Sequence, residues 1–315
     1  MKKEQFDFYS KTAIKSYNLE DRIRYQLKML DSLDAFTRRH SENVANLTCR
    51  ICEYLNADKK YGKGFTIYAT TCAYLHDLGK LFIPPSVLQK QAALTKEEYD
   101  IMKTHTSIGY KMCMEDPKLR PYAAGTLYHH ESLDGSGYPN GVKGKEIPIE
   151  AQIIRVADEF DAISSKRQYK THVGIIDTLN LLIDDTKPRT QTDDLKLLTE
   201  EARVGKIDKH ILRQLFKVVI DDTEYEIAAR IDYVDFLKEE IKRLKEANMY
   251  FEKMQKAKPN KKEYFKQGAE AYLRPNEKLE ELPNILAEIE KSYVDRKAHI
   301  DKLYKEIKQI KKLNV

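Results

Sequence analysis

Apolar residues recur at steps of three and four along most of this chain, and no stretch alternates in the strict way a half-buried strand requires. Between residues 20 and 220 the spacing predicts helices over about 20–35, 40–56, 66–78, 95–115, 117–130, 149–167, 172–184 and 208–221. The expected fold class is therefore all-α, a helical bundle. Gly79 directly after YLHDL suits a helix C-cap, and Pro84-Pro85 keeps the helix from resuming at once. The polar, aperiodic DDTKPRTQTDD at 184–194 reads as a loop excursion.

After residue 223 the composition shifts. Val234, Leu237, Ile241, Leu244, Asn248 and Phe251 follow alternating steps of three and four, as do Leu286, Ile289, Tyr293, Arg296, Ile300, Leu303, Ile307 and Ile310. A pair of long amphipathic helices results, separated by a stretch that Pro259, Pro275 and Pro283 interrupt. The pair can form an antiparallel hairpin, a seam in a homodimer or docking site for a partner, or a cover over apolar surface elsewhere; periodicity does not choose among them. The expected organisation is a lead segment over 1–30, a helical domain over 31–222 and the extension over 223–315.

Composition narrows the class. With 41% hydrophobic and 33% charged residues in 315, the chain has enough apolar material for a real core and a heavily solvated surface. Lys and Arg exceed Asp and Glu by only 55 to 50, in a mixed pattern, which argues against a nucleic acid polymer as partner. No run of about 18 apolar residues suggests a membrane span, and MKKEQFDFYSKTAIKS lacks the apolar core of a signal peptide, so the expected location is cytoplasmic. Cys49 and Cys52 form a C-x-x-C, but HSENVANLTCRICEYL reads as continuous helix. Two packed helical cysteines are expected there rather than a metal or redox site.

The chemistry lies in five stretches: His40 in TRRHSENV, His76-Asp77 in YLHDLGK, His105 in MKTHTSIG, His129-His130 in YHHESLDG, and Asp158 in RVADEFDA. One histidine on an amphipathic helix is usually packed or solvated, but the set behaves differently. His105 shares a predicted helix face with Ile101, Ile108 and Met112, and Asp158 with Ile154, Asp161 and Ser165, so an imidazole and a carboxylate both point inward. Desolvating an unpaired carboxylate costs several kcal/mol or forces its neutralisation, and divalent cations would satisfy inward imidazoles and carboxylates at once. Imidazole and carboxylate without thiolate suit iron, manganese or zinc in an open site. Five imidazoles and two carboxylates exceed one ion's needs and would furnish a two-metal centre with one carboxylate bridging, the arrangement phosphoester hydrolysis uses. Lys80, Arg167 and Lys170 lie near these positions in sequence and could meet phosphates, although solvated surface charge is the commoner state of such residues.

HDLGK, the His105 helix, HHESLDGSGYP and NGVKGKEIPIEAQIIRVADEFDAISSKRQYK together resemble the HD-GYP family, HD phosphohydrolases that degrade cyclic di-GMP, over about residues 31–221. The resemblance implies an HD-domain helical bundle with a metal centre, often of iron or manganese. By position it implies His40, His76, Asp77, His105, His129, His130 and Asp158 as ligands, with Asp77 as the bridge and a catalytic residue. It implies Lys80, Arg167 and Lys170 as groups that hold substrate phosphates or support the attacking water, with Lys80 also catalytic. Gly137, Tyr138 and Pro139 match the signature tripeptide. Members with three metals carry a glutamate four residues before the first histidine; Phe36 stands there, so two divalent ions are expected. Gln168 and Pro85 also depart from the common pattern without touching a proposed ligand.

The expected reaction is hydrolysis of a 3′,5′ phosphodiester in cyclic di-GMP to linear pGpG, to GMP, or to both. Two other readings stand beside it: a hydrolase of another cyclic dinucleotide or nucleotide, and a catalytically silent cyclic-dinucleotide receptor or scaffold. In the signature loop, Glu131 and Asp134 are expected to orient the loop or the imidazoles. Gly135 and Gly137 would supply backbone conformations closed to other residues. Tyr138 could pack the loop, shape the substrate mouth or face a partner.

Overall fold

The computed structural model of the protein describes residues 21–33, 35–165, 173–188 and 204–314. Every regular element among them is helical, and the described residues contain no strand. The chain divides into two compact units, one running to Val218 and rejoined at Leu313, the other spanning Val219–Lys312.

In the first unit the helices are α1 (Asp21–Asp31), α2 (Ala35–Tyr54), α3 (Phe65–Leu75), α4 (Lys96–Lys103), α5 (His105–Glu115), α6 (Ala123–Tyr128), α7 (Ile149–Ser164) and α8 (Ile175–Asp185). α3 is the centre of the bundle and packs against α1, α2, α6 and α7. Its sequence, FTIYATTCAYL, is apolar or small on nearly every side, as a surrounded helix must be. Its buried Thr70 and Thr71 hydroxyls donate to the carbonyls of Thr66 and Ile67 one turn back, so no polar group is stranded. α1 closes one end of the bundle by laying Ile23, Leu27 and Leu30 on Leu75, Leu78 and Leu119.

The expected helix over 95–115 is two helices. Thr95 and Glu98 form a reciprocal capping box that starts α4. At Thr104 the ladder tightens, with its N–H on the Ile101 carbonyl at 3.0 Å, and α5 restarts at His105. The break turns Ile101 out to 40% exposure while His105 is buried. Gly79 lies within a short 3-10 turn, Leu78–Phe82, rather than at a left-handed cap. A Cβ on Gly79 would come within 1.9 Å of the His105 carbonyl oxygen, so close approach to α5 is what requires glycine there.

α9 spans Lys209–Lys256 without interruption, past the expected end at 221. No glycine or proline occurs between those residues, and TEYEIAAR at 223–230 contains good helix formers, so nothing local ends it. Residues of α9 up to Val218 belong to the first unit and the remainder to the second. The second unit continues with α10 (Pro259–Glu270) and α11 (Leu282–Ile310). Ile227 and Val234 cluster with Ile300, Leu303 and Ile307, while Leu244 and Ala247 cluster with Ala269, Leu279 and Leu282. Early α9 residues thus meet late α11 residues, an antiparallel pair. Arg243 ties α9 to the segment between α10 and α11, bonding Glu277 through two nitrogens at 2.8 and 2.6 Å and Glu240 at 2.9 Å. No described helix is long and apolar enough to cross a membrane. None of the four cysteines forms a disulfide, and all are buried, Cys49 and Cys52 within α2.

Candidate metal centre

Seven side chains from five parts of the first unit converge. His40 comes from α2, His76 and Asp77 from the turn ending α3, His105 from the first position of α5, His129 and His130 from the end of α6, and Asp158 from α7. All but His130 are buried. Periodicity correctly turned His105 inward for an incomplete reason: Ile101 lies on a different helix, and the break at Thr104 is what aims the imidazole.

Asp77 sits in the middle. Its Oδ2 lies 3.3 Å from His76 Nε2, 3.7 Å from His40 Nε2 and 2.5 Å from Lys80 Nζ. Its Oδ1 lies 3.5 Å from His105 Nε2. Asp158 Oδ1 is 3.0 Å from His40 Nε2, and its Oδ2 is 3.8 Å from His130 Nδ1. His105 and His129 bring their Nε2 atoms to 3.2 Å. Three overlapping groups follow, each with its ligand atoms within 4.8 Å of one another: His40, His76 and Asp158; His105, His129 and His130; and His76, Asp77 and His129.

Four imidazoles have the posture of metal ligands, with Nδ1 tied to the protein and Nε2 facing the cluster. Nδ1–H of His76 donates to the Ala73 carbonyl at 2.7 Å, that of His105 to Met102 at 2.6 Å, and that of His129 to Thr126 at 3.0 Å. His40 Nδ1–H donates to Asp161 Oδ2 at 2.7 Å. His76 Nε2 and Asp77 Oδ1 are buried without a hydrogen-bond partner among the described residues. A buried nitrogen lone pair and a buried carboxylate oxygen left in this way fit divalent cations.

The charge states agree. Burial alone would raise the Asp77 carboxyl, but His76 and Lys80 hold it well below the usual carboxylate range. Asp158 is held low in the same way, chiefly by the bond from His40. Burial pushes His105 down to about 4, and lowers His129 and His130 as well, so these imidazoles are neutral and able to coordinate. His40 is the exception: burial opposes a proton there, but its bonds to Asp158 and Asp161 prevail and raise it to about 9, so an ion at Nε2 would have to displace that proton.

The loop after His130 is built backwards onto itself. The Tyr138 N–H donates to the His130 carbonyl at 3.2 Å, and the Arg155 guanidinium donates to that same oxygen at 3.1 Å. Glu131 is buried and accepts from the backbone N–H groups of Asn140 and Gly141 at 2.7 and 3.1 Å, so it shapes the loop rather than an imidazole. Asp134 caps a local turn by accepting from Ser136. Gly135 has the left-handed φ of 80° expected of it, but Gly137 does not. A Cβ on Gly137 would lie 2.3 Å from the Ser132 nitrogen and 2.5 Å from the His130 oxygen, so close backbone approach is its reason. The Tyr138 ring stacks on His130, with centroids 4.8 Å apart and planes 29° apart. Pro139 follows through a cis peptide bond and is exposed.

The Phe36 ring stacks parallel to His40 at 6.2 Å, where a glutamate for a third ion would stand. Asp161 is the residue whose part sequence reasoning missed; the signal was its place one turn beyond Asp158 on the same inward face. Arg167 and Lys170 lie outside the described residues.

Known proteins bear on this geometry. The HD domain family model matches residues 24–209. The chain is 41% identical over 177 residues to a cyclic di-GMP phosphodiesterase of Thermotoga maritima, covering 54% of this chain and 47% of the relative. It is 49% identical over 158 residues to the cyclic di-GMP phosphodiesterase response regulator RpfG of Xanthomonas campestris pv. campestris, covering 48% and 41%. It is 34% identical over 158 residues to 3'3'-cGAMP-specific phosphodiesterase 3 of Vibrio cholerae, covering 49% and 33%. The matches thus span less than half the length of each of these relatives.

Proposed function

The chain belongs to the HD domain family, and on that premise we propose that it is a metal-dependent phosphodiesterase, hydrolysing cyclic di-GMP to linear pGpG, to GMP or to both. The observation that carries the reading is Asp77, whose two oxygens face different histidines while Oδ1 and the neighbouring His76 Nε2 have no hydrogen-bond partner among the described residues. His40, His76, Asp77 and Asp158 would hold one ion, and Asp77, His105, His129 and His130 the other; iron or manganese suits this donor set best, with zinc also compatible. Bound there, two divalent ions would activate a water for in-line attack on phosphorus and neutralise phosphate charge.

The chain's own groups do the rest. Lys80 Nζ, paired with Asp77 Oδ2 and only partly buried, is an ammonium beside the cluster that can share its hydrogen bonds with a phosphate oxygen as negative charge builds. Arg167 and Lys170 are assigned as further phosphate contacts from their place in the motif: the guanidinium can bind two oxygens at once, and the ammonium acts as a point charge. Asp161 keeps His40 in one tautomer. The buried thiols, none in a disulfide, agree with a cytoplasmic location.

The direct test incubates protein loaded anaerobically with Fe(II) or Mn(II) with cyclic di-GMP and separates the products by chromatography. Linear pGpG from the wild type and none from Asp77→Ala is expected; intact substrate with both proteins defeats the reading. Similarity to a relative named for 3'3'-cGAMP supports a second reading in which that dinucleotide is preferred. The ratio of kcat/KM for the two substrates decides between them.

A further inference from the structure

Tyr99 projects from α4 and is 48% exposed. Its ring stands edge-on to Tyr138, with centroids 6.4 Å apart and planes 78° apart. Tyr138 in turn stacks on His130 at 4.8 Å. Three rings therefore lead from the His105, His129 and His130 group out to solvent. The Lys103 ammonium lies over the Tyr99 ring, 5.2 Å from its centroid, and pairs with Asp100 Oδ1 at 2.5 Å. One residue before it, the Met102 carbonyl accepts from His105 Nδ1. The same short helix thus touches the His/Asp cluster through its backbone and carries a half-exposed tyrosine ring beside it.

We propose that Tyr99 is a specificity-determining residue, the surface on which one purine base of a cyclic dinucleotide stacks while a phosphate of the same molecule occupies the His/Asp cluster. The proposal rests on the phosphodiesterase reading. An exposed tyrosine edge-on to a second tyrosine presents a flat, polarisable face of about the size of a purine, and the nearby ammonium adds to its attraction for an electron-rich ring. Both aromatic neighbours are fixed in advance. α4 is locked by its capping box, and Tyr138 is held by its ring contact and its backbone bond to His130. A base landing there immobilises little that was free before.

The test uses the full chain, loaded with Mn(II), and two substrates: cyclic di-GMP and bis(p-nitrophenyl) phosphate, a phosphodiester without a purine. Tyr99→Leu keeps apolar bulk and removes the aromatic face, and Tyr99→Phe keeps the face and removes the hydroxyl. Tyr99→Leu is expected to raise KM for cyclic di-GMP about tenfold, within the range of base–aromatic stacking, with nitrophenyl ester turnover unchanged and Tyr99→Phe close to wild type. An unchanged KM in Tyr99→Leu overturns the proposal. So does an equal loss of kcat on both substrates together with a lowered thermal midpoint, which is the mark of a structural role; KM for the nitrophenyl ester, whose own rings can stack on tyrosine, does not enter the comparison. Wild-type protein that cleaves the nitrophenyl ester but no cyclic dinucleotide defeats the functional reading instead. Calorimetric binding of cyclic di-GMP then judges Tyr99 alone, and equal affinity in wild type and Tyr99→Leu rejects it.

Discussion

His40 donates from Nδ1 to Asp161 Oδ2 at 2.7 Å, and that carboxylate is itself fully engaged. Its Oδ1 accepts from Asn43 at 3.0 Å and from the Ser165 hydroxyl at 2.8 Å. The acceptor of the His40 bond therefore cannot turn away, and Nε2 is left facing Asp158 and Asp77. A residue that ligates nothing sets the angle at which α2 presents its imidazole.

Asp161→Ala should weaken metal binding by roughly 10- to 100-fold, the usual effect of removing a carboxylate behind a ligating histidine. Asp161→Asn, which can still accept at one oxygen, should lose less. Competition against a coloured chelator reads the affinity directly. Equal affinities in the two variants and the wild type would show that His40 needs no support.

Gly137→Ala should destabilise the first unit by about 1–3 kcal/mol, because the added methyl meets backbone that cannot swing aside. In a unit of this size the thermal midpoint should fall by roughly 3–10 °C. Circular dichroism melting in the presence of a chelator checks it without interference from metal binding.

Adding Mn(II) to metal-free protein should raise the thermal midpoint, since ions that bind only the folded cluster stabilise it. At a hundredfold excess over Kd the gain is about 2.7 kcal/mol. His129→Ala removes a buried ligand shared by two of the overlapping groups and should blunt that rise. A metal-independent midpoint in the wild type would contradict the assignment of the cluster.

The second unit should lose stability in acid. The Arg243 guanidinium holds the Glu277 carboxyl below its ordinary value of 4.5. Stability from this pair is therefore complete above the unfolded-state pKa and is lost as pH falls through the lower folded-state value. Arg243→Ala should cost on the order of 2 kcal/mol at neutral pH, by leaving Glu240 and Glu277 without their shared partner. It should also flatten the acid dependence. Hydrogen exchange of residues 240–250, corrected for intrinsic rates, follows both effects.

The helical class was legible from period alone; among the converging side chains His105 and Asp158 were turned inward by period, and the other five were picked out by the motifs they stand in. The break at Thr104 was not legible, since MKTHTSIG continues the helical spacing. What ends α4 is the tight turn at Thr104, next to the His105 bond to Met102. Gly79 and Gly137 were misread for a related reason: a glycine needed for close approach looks, in sequence, the same as one needed for a turn. The role of Asp161 depends on α2 lying across α7, a tertiary fact that periodicity does not contain. The run through α9 was missed in the other direction, by taking a change of composition for a change of element.

The order in which the cluster's side chains occur along the chain sets a time limit on its assembly. His40 is synthesised first and Asp158 last, with the others between them. A growing chain on the ribosome holds some of these groups early, but never the full set until α7 has emerged and folded back on α2 and α3. The complete cluster, and with it any site for an ion that needs all seven groups, therefore exists only once the chain has been made as far as α7.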